Sequence, residues 1–240
     1  MSQPHAGQRS LIINADDFGR SPGINEGIVE AHLRGIVTSA SLMVRWPDAV
    51  GAADFARHNP RFGLGLHVDL GEWYFERDAW KPRYQVVDLD DTATMRAELE
   101  RQIEAFRNLT GAEPSHIDSH QHVHMRRLAR PIFLDVSRIL GIPLRRLNSP
   151  AIYRGDFFGQ TPDGAPLRDA IERDALLDLI VNLPAGLSEI VCHPATRHDT
   201  DSTYGPERLR ELHALCDPAI RLAVESSHIN LCSHHLPVPS

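Results

Sequence analysis

The sequence predicts an α/β fold, an irregular TIM-like (β/α) barrel of about seven parallel strands. Three observations predict it. Short runs rich in Ile, Val and Leu alternate with stretches of helical period, the pattern of parallel strands joined by crossover helices. The chain's 240 residues match what one such barrel needs. No Pro/Gly-rich or low-complexity linker divides it, so residues 1–240 are expected to form a single domain.

The strand candidates are 11–15, 39–44, 62–67, 115–120, 142–147, 188–193 and 229–233. After the first, Ser21 caps a helix, Pro22 suits its first turn, and Gly35 stands where a left-handed C-terminal residue is wanted. Ile24, Ile28 and Ala31 should face inward. Residues 71–91 read as a long connection carrying Trp73, Tyr74, Phe75, Trp80 and Tyr84. Aromatic rings there can stack on a pyranose face or seal the loop onto the barrel, and packing is the more frequent role for any single one. Over 93–109, Met95, Leu99, Ile103 and Phe106 recur at helical spacing among charged residues, an amphipathic structural helix.

A net charge of −7 with scattered Lys and Arg lacks the footprint of a nucleic-acid binder. Cys192, Cys216 and Cys232 are odd in number and widely spaced, as reduced thiols of a cytoplasmic protein would be. The polar 1–10 segment leads into only three apolar residues, too few for a signal peptide, and no run reaches membrane-spanning length.

Chemistry concentrates at the strand ends, where barrel enzymes keep their sites. Asn14-Ala15-Asp16-Asp17-Phe18-Gly19 puts two carboxylates between a strand and a capped helix. Taken alone, that pair is an ordinary turn. His67 closes a strand in which Leu64 and Leu66 share one face, and His193 closes another, with Pro194 stopping further pairing. In 116–124, His116, Asp118, His120, His122 and His124 alternate, so an extended segment would point all of them to one face. Burying such a face requires a cation or a dense hydrogen-bond network. Two imidazoles and a carboxylate suit a borderline divalent ion and leave positions open for water and substrate, the composition of a catalytic site. Spacing alone does not say which of His120, His122 and His124 is the ligand.

Together, Asn-Ala-Asp-Asp-Phe-Gly at 14–19, Gly-Ile-Val-Thr-Ser at 35–39, Gly-Leu-His at 65–67, Asp-Ser-His-Gln-His-Val-His at 118–124 and Cys-His-Pro at 192–194 resemble the YdjC-like carbohydrate deacetylase family. That group includes chitooligosaccharide deacetylases and hopanoid-biosynthesis-associated proteins. The resemblance spans almost the whole chain and implies a divalent ion, Mg²⁺ or Zn²⁺, on Asp17, His67 and His120. A more distant likeness to polysaccharide deacetylases implies Asp16 as base, His193 as acid, and Arg145 rather than Arg146 as the Arg after the fifth strand. The segment 226–235 departs from the family's usual C-terminal run.

The implied reaction is removal of an N-acetyl group from a small N-acetylated sugar or oligosaccharide by metal-activated water. Neither nucleic acid nor membrane is expected as a partner, and a homodimer is allowed. A metal-dependent isomerase or phosphoesterase on the same barrel is the rival enzyme, and a non-catalytic carbohydrate- or metal-binding protein the rival without turnover. The last would not require Asp16 beside Asp17, or an acid at His193.

Overall fold

A computed structural model describes residues 7–198, 202 and 204–234. In chain order the strands are β1 (Arg9–Phe18), β2 (Ser39–Leu42), β3 (Gly63–Val68), β4 (Gly71–Glu76), β5 (Ala79–Gln85), β6 (Ile117–Ser119), β7 (Ile152–Arg154), β8 (Gly186–Cys192) and β9 (Ile229–Leu231). The helices are α1 (Pro22–Leu33), α2 (Ala49–His58), α3 (Thr92–Thr110), α4 (Ala129–Leu140), α5 (Arg173–Val181), α6 (Pro206–Cys216) and α7 (Pro218–Ser226). Seven strands form one curled sheet in the order β6-β3-β2-β1-β8-β7, with β9 added to β1. Every pairing in it is parallel, so the fold is α/β, a curled half-barrel compatible with the expected irregular TIM-like barrel.

Period-two alternation splits the strands into two faces. Leu11, Ile13 and Ala15 of β1, Ala40 and Leu42 of β2, and Leu64 and Leu66 of β3 join the apolar core with Ile24, Ile28, Leu99, Ile103 and Phe133 of the surrounding helices. The other face is mostly polar or bare: Asn14 and Asp16 beside the single apolar Ile12 of β1, Ser39 and Ser41, then Gly63, Gly65 and His67. A Cβ on Gly65 would meet the His116 ring at 2.3 Å, so only glycine admits that imidazole. The barrel interior is thus built around polar groups, and the hydrophobic layer lies outside it.

Ser21 caps α1 by accepting from the Ile24 amide, and Met95, Leu99, Ile103 and Phe106 are the buried stripe of α3. Four expectations need correction. Gly35 follows an α1 that ends on Arg34 in right-handed geometry; a Cβ there would strike the carbonyls of Leu215 and Ala31, so close packing rather than a left-handed cap is what requires glycine. Segment 142–147 is a turn, with only Leu144 bridging to Ile117. Asn148 Oδ1 takes the Leu144 amide, and the Leu144 carbonyl collects the amides of 147, 148 and 149. The seventh strand is instead β7, an edge. Residues 71–85 form an antiparallel hairpin, β4–β5. Finally, the chain past Ser119 is a 3₁₀ turn over His120–Met125 with positive φ at Gln121 and His122, so its histidines do not share a strand face.

Candidate active site

Adjacent residues of a regular strand point to opposite faces, so β1 needs a device to aim both Asp16 and Asp17 at one pocket. It has one. Pairing with β2 shifts register between Ala15 and Phe18, and Asp17 takes φ 67°. This bulge re-aims the carboxylate at the strand's C-terminal end. Asp17 is 1% exposed and Asp16 is 3% exposed, yet both line a cavity of 720 Å³.

Asp17, His67 and His120 each bring a ligand-type atom within 4.8 Å of the others, all buried. Asp17 Oδ1 lies 3.4 Å from His67 Nε2 and 3.1 Å from His120 Nδ1, but makes no hydrogen bond. Its other oxygen accepts from Arg208, a fully buried side chain of α6. Behind each imidazole stands a carboxylate. His67 and Asp118 are register partners, and His67 Nδ1 meets Asp118 Oδ1 at 2.6 Å. Glu72, buried on β4, and Arg20 both lie 3.5 Å from His120 Nε2. Such backing fixes which ring nitrogen faces the cluster.

The charges reinforce one another. Burial disfavours the Asp17 carboxylate, but Arg208 and His120 outweigh it and hold it well below the usual range. Burial also disfavours charged His67, yet Asp118 and Asp16 raise its pKa to about 10. Glu72, opposed by burial but bound to His120 and Arg20, is lowered to about 2. A second cluster, Asp16, His67 and Asp118, is equally close. However, both oxygens of Asp16 and both of Asp118 are already taken by Arg145, Asn14, Ser41 or His67, whereas Asp17 Oδ1 accepts no bond, so the first cluster is the better cation site.

Arg145, 1% exposed, grips Asp16 with two parallel bonds at 2.8 and 2.9 Å and reaches Asp118 and Glu189 as well. Despite burial, this clamp holds Asp16 far below the ordinary carboxylate range. Arg146 takes the opposite direction, with φ 65° and its guanidinium over the Tyr153 ring. His193 Nε2 faces Asp16 Oδ2 at 4.0 Å across the cavity. Glu211, fully buried, accepts from the His193 amide and the Tyr204 hydroxyl and lies 3.8 Å from Nδ1.

The structure therefore brings Asp16, Asp17, His67, His120, Arg145 and His193 together. His122 and His124 stand apart from the cluster. His122 Nε2 bonds the Tyr153 hydroxyl at 2.9 Å, and His124, fully buried, bonds Ser119 at 2.7 Å. Burial, helped by Arg145 beside His122 and by repulsion between the two rings for His124, drops each pKa to about 3. Sequence reading missed Glu72, Arg208 and Glu211. Each lies on a hairpin or helix remote in sequence, in a stretch whose charge pattern looks like ordinary solvated surface. Trp73, Tyr74, Phe75 and Trp80 of the hairpin line the same cavity, as do Phe157 and Phe158.

The profile of the YdjC-like protein family matches residues 10–226. The carbohydrate deacetylase of Geobacillus stearothermophilus is 31% identical, covering 94% of this chain and 97% of its own. The chitooligosaccharide deacetylase of Serratia marcescens is 32% identical, covering 90% and 94%. Among solved structures, an Enterococcus faecalis V583 protein assigned to cellobiose-phosphate cleavage is similar at TM-score 0.76 and 28% identity, over 95% of this chain and 98% of that one. The family 4 carbohydrate esterase of Streptomyces lividans, solved with acetate, shares the fold at TM-score 0.57 and 14% identity, over 95% and 93%.

Proposed function

The chain belongs to the YdjC-like family, and from that membership we propose that it is a metal-dependent carbohydrate N-deacetylase acting on a small N-acetylated sugar or oligosaccharide. The relatives named for deacetylation support the reaction. The observation that carries the metal is Asp17 Oδ1, a buried carboxylate oxygen with no hydrogen bond and two imidazole nitrogens facing it. Asp17, His67 and His120 would hold the ion. Two nitrogen donors favour Zn²⁺ over Mg²⁺, which prefers oxygen ligands throughout.

When bound, the ion polarises the acetamide carbonyl and makes water a competent nucleophile near neutral pH. Asp16, kept ionised and oriented by Arg145, takes the proton from the attacking water. His193, on the other side of the same gap, gives a proton to the departing amine, which leaves poorly without one. Phe158 and Tyr204 pack beside the His193 ring and limit its swing. The aromatic lip receives the sugar. Three free cysteines fit a cytoplasmic place of action, and among the described residues no helix is long and apolar enough to cross a membrane.

The test is acetate release from N-acetylglucosamine and its oligomers, with and without added Zn²⁺ or Mg²⁺. Metal-dependent release is expected. Retained metal with no acetate from any of these substrates contradicts the reading and favours a binding protein; phosphate release or isomerisation in its place identifies the rival enzyme.

A further inference from the structure

Ser41 takes no part in the reaction as described, yet its hydroxyl is a junction in the barrel interior. Asn14 Nδ2 reaches it at 2.9 Å, Asp118 Oδ2 lies at 2.7 Å and His116 Nε2 at 3.0 Å. A hydroxyl has one proton to give and two lone pairs to fill. The Asn14 amide can only donate, so it fills one lone pair. Asp118, which also accepts from Arg145 and His67, takes the proton. The remaining lone pair then requires an N–H from His116, which fixes Nε2 as the protonated nitrogen; Nδ1 faces Ser115 Oγ at 2.9 Å. The Asn14 amide places its second proton on Asp16 Oδ1, at 3.0 Å. Every donor thus has one acceptor, and the direction of each bond is set.

We propose that Ser41 is a positioning residue that ties Asp16 and His67 into one unit, through Asn14 on one arm and Asp118 on the other, with His116 holding the hydroxyl in place. This rests on the assignment of Asp16 as base and His67 as ligand. Because Ser41 gives its proton to Asp118 Oδ2, the Oδ1 atom is left to accept from His67 Nδ1–H, and His67 Nε2 is the nitrogen turned toward Asp17 Oδ1, where it would serve as a donor to the ion. Loss of an outer partner of a metal-binding histidine typically weakens metal affinity 10–100-fold. The bare Gly65 beside the His116 ring belongs to the same device, since any side chain there would displace the imidazole from Ser41.

The experiment is Zn²⁺ titration of purified wild type, Ser41→Ala, Ser41→Thr and His116→Gln, paired with deacetylation kinetics and thermal melting. Ser41→Ala should weaken Zn²⁺ binding by roughly 10-fold or more and lower kcat at saturating metal, with KM little changed. Ser41→Thr, which keeps the hydroxyl, should recover most of both. His116→Gln, whose amide can still donate, should fall between them. Should Ser41→Ala fail to fold, Ser41→Thr and His116→Gln carry the comparison. Wild-type Zn²⁺ affinity and kcat in Ser41→Ala, or a loss that Thr does not restore, overturns the inference while leaving the deacetylase reading intact. A wild type that binds no Zn²⁺ overturns the metal reading itself, and this inference with it.

Discussion

The floor and the lip of the pocket are built on different principles. On the floor, Asp16, Asp17, His67 and Arg145 are almost completely buried, and each is held by partners on several elements. At the lip, Trp80 is 53% exposed and Phe158 36%, and their ring contacts are with other aromatics or His193. A floor so over-determined fixes geometry to the precision that proton transfer demands. A lip of half-exposed rings supplies contact area without fixing orientation, the property that lets one chemistry serve different sugars.

That contrast breaks if floor and lip substitutions act alike. Asp16→Asn should keep the metal and lose most turnover, because the amide retains the shape and accepts no proton. His193→Ala should lower kcat by roughly 10²–10⁴-fold, the range for a lost positioned acid, without loss of metal. For an activated aryl acetate ester, whose leaving group departs unprotonated, the His193→Ala deficit should shrink; equal loss on amide and ester would remove His193 as acid. Steady-state kinetics on both substrates decide it.

Trp80→Ala sharpens the comparison from the other side. One exposed ring contributes about 1 kcal/mol to a stacked ligand, roughly a fivefold rise in KM, with kcat and metal content near wild type. A collapse of kcat in this variant would mean that the lip shares the chemistry.

The floor was largely legible in the sequence. Strand ends mark themselves by an apolar run stopping at a polar residue, and Asp16, Asp17, His67 and His193 stand at such stops, while His120 shows itself by the alternating polar residues of 116–124. Arg145 was visible only through resemblance, since the apolar run around it is a turn whose amides are taken by Asn148 and the Leu144 carbonyl. The lip was not legible as structure. Its hairpin turns at Arg77 and Asp78, both at positive φ, where the usual sequence sign is Asn-Gly. Strand β7 escaped notice because Ile152 on it is 48% exposed, and an edge without a buried face leaves no alternation to read. Glu72 shows the same limit. Its partner His120 comes from a different strand end, and no local pattern announces a pair made by tertiary contact.

A histidine below the floor acts on stability and leaves turnover alone. His124 has its pKa lowered to about 3 by burial and by His122, so the folded protein keeps it neutral where the unfolded chain, near 6.5, takes up a proton. The unfolded state then binds more protons between those values. Stability from this group is therefore complete above pH 6.5 and declines as pH falls toward 3, by at most about 1.4 kcal/mol per pH unit. Urea unfolding across that range should show a shallower decline for His124→Gln than for wild type; identical slopes would mean that His124 titrates normally in the fold.

Elemental analysis of purified variants reads out whether Asp17, His67 and His120 hold a divalent ion. Wild type and His122→Ala should carry one equivalent of metal, while Asp17→Ala, His67→Ala and His120→Ala should each carry close to none, because two protein donors do not retain the ion. Stoichiometric metal in His120→Ala together with its loss from His122→Ala would make His122 the ligand and remove His120 from the site.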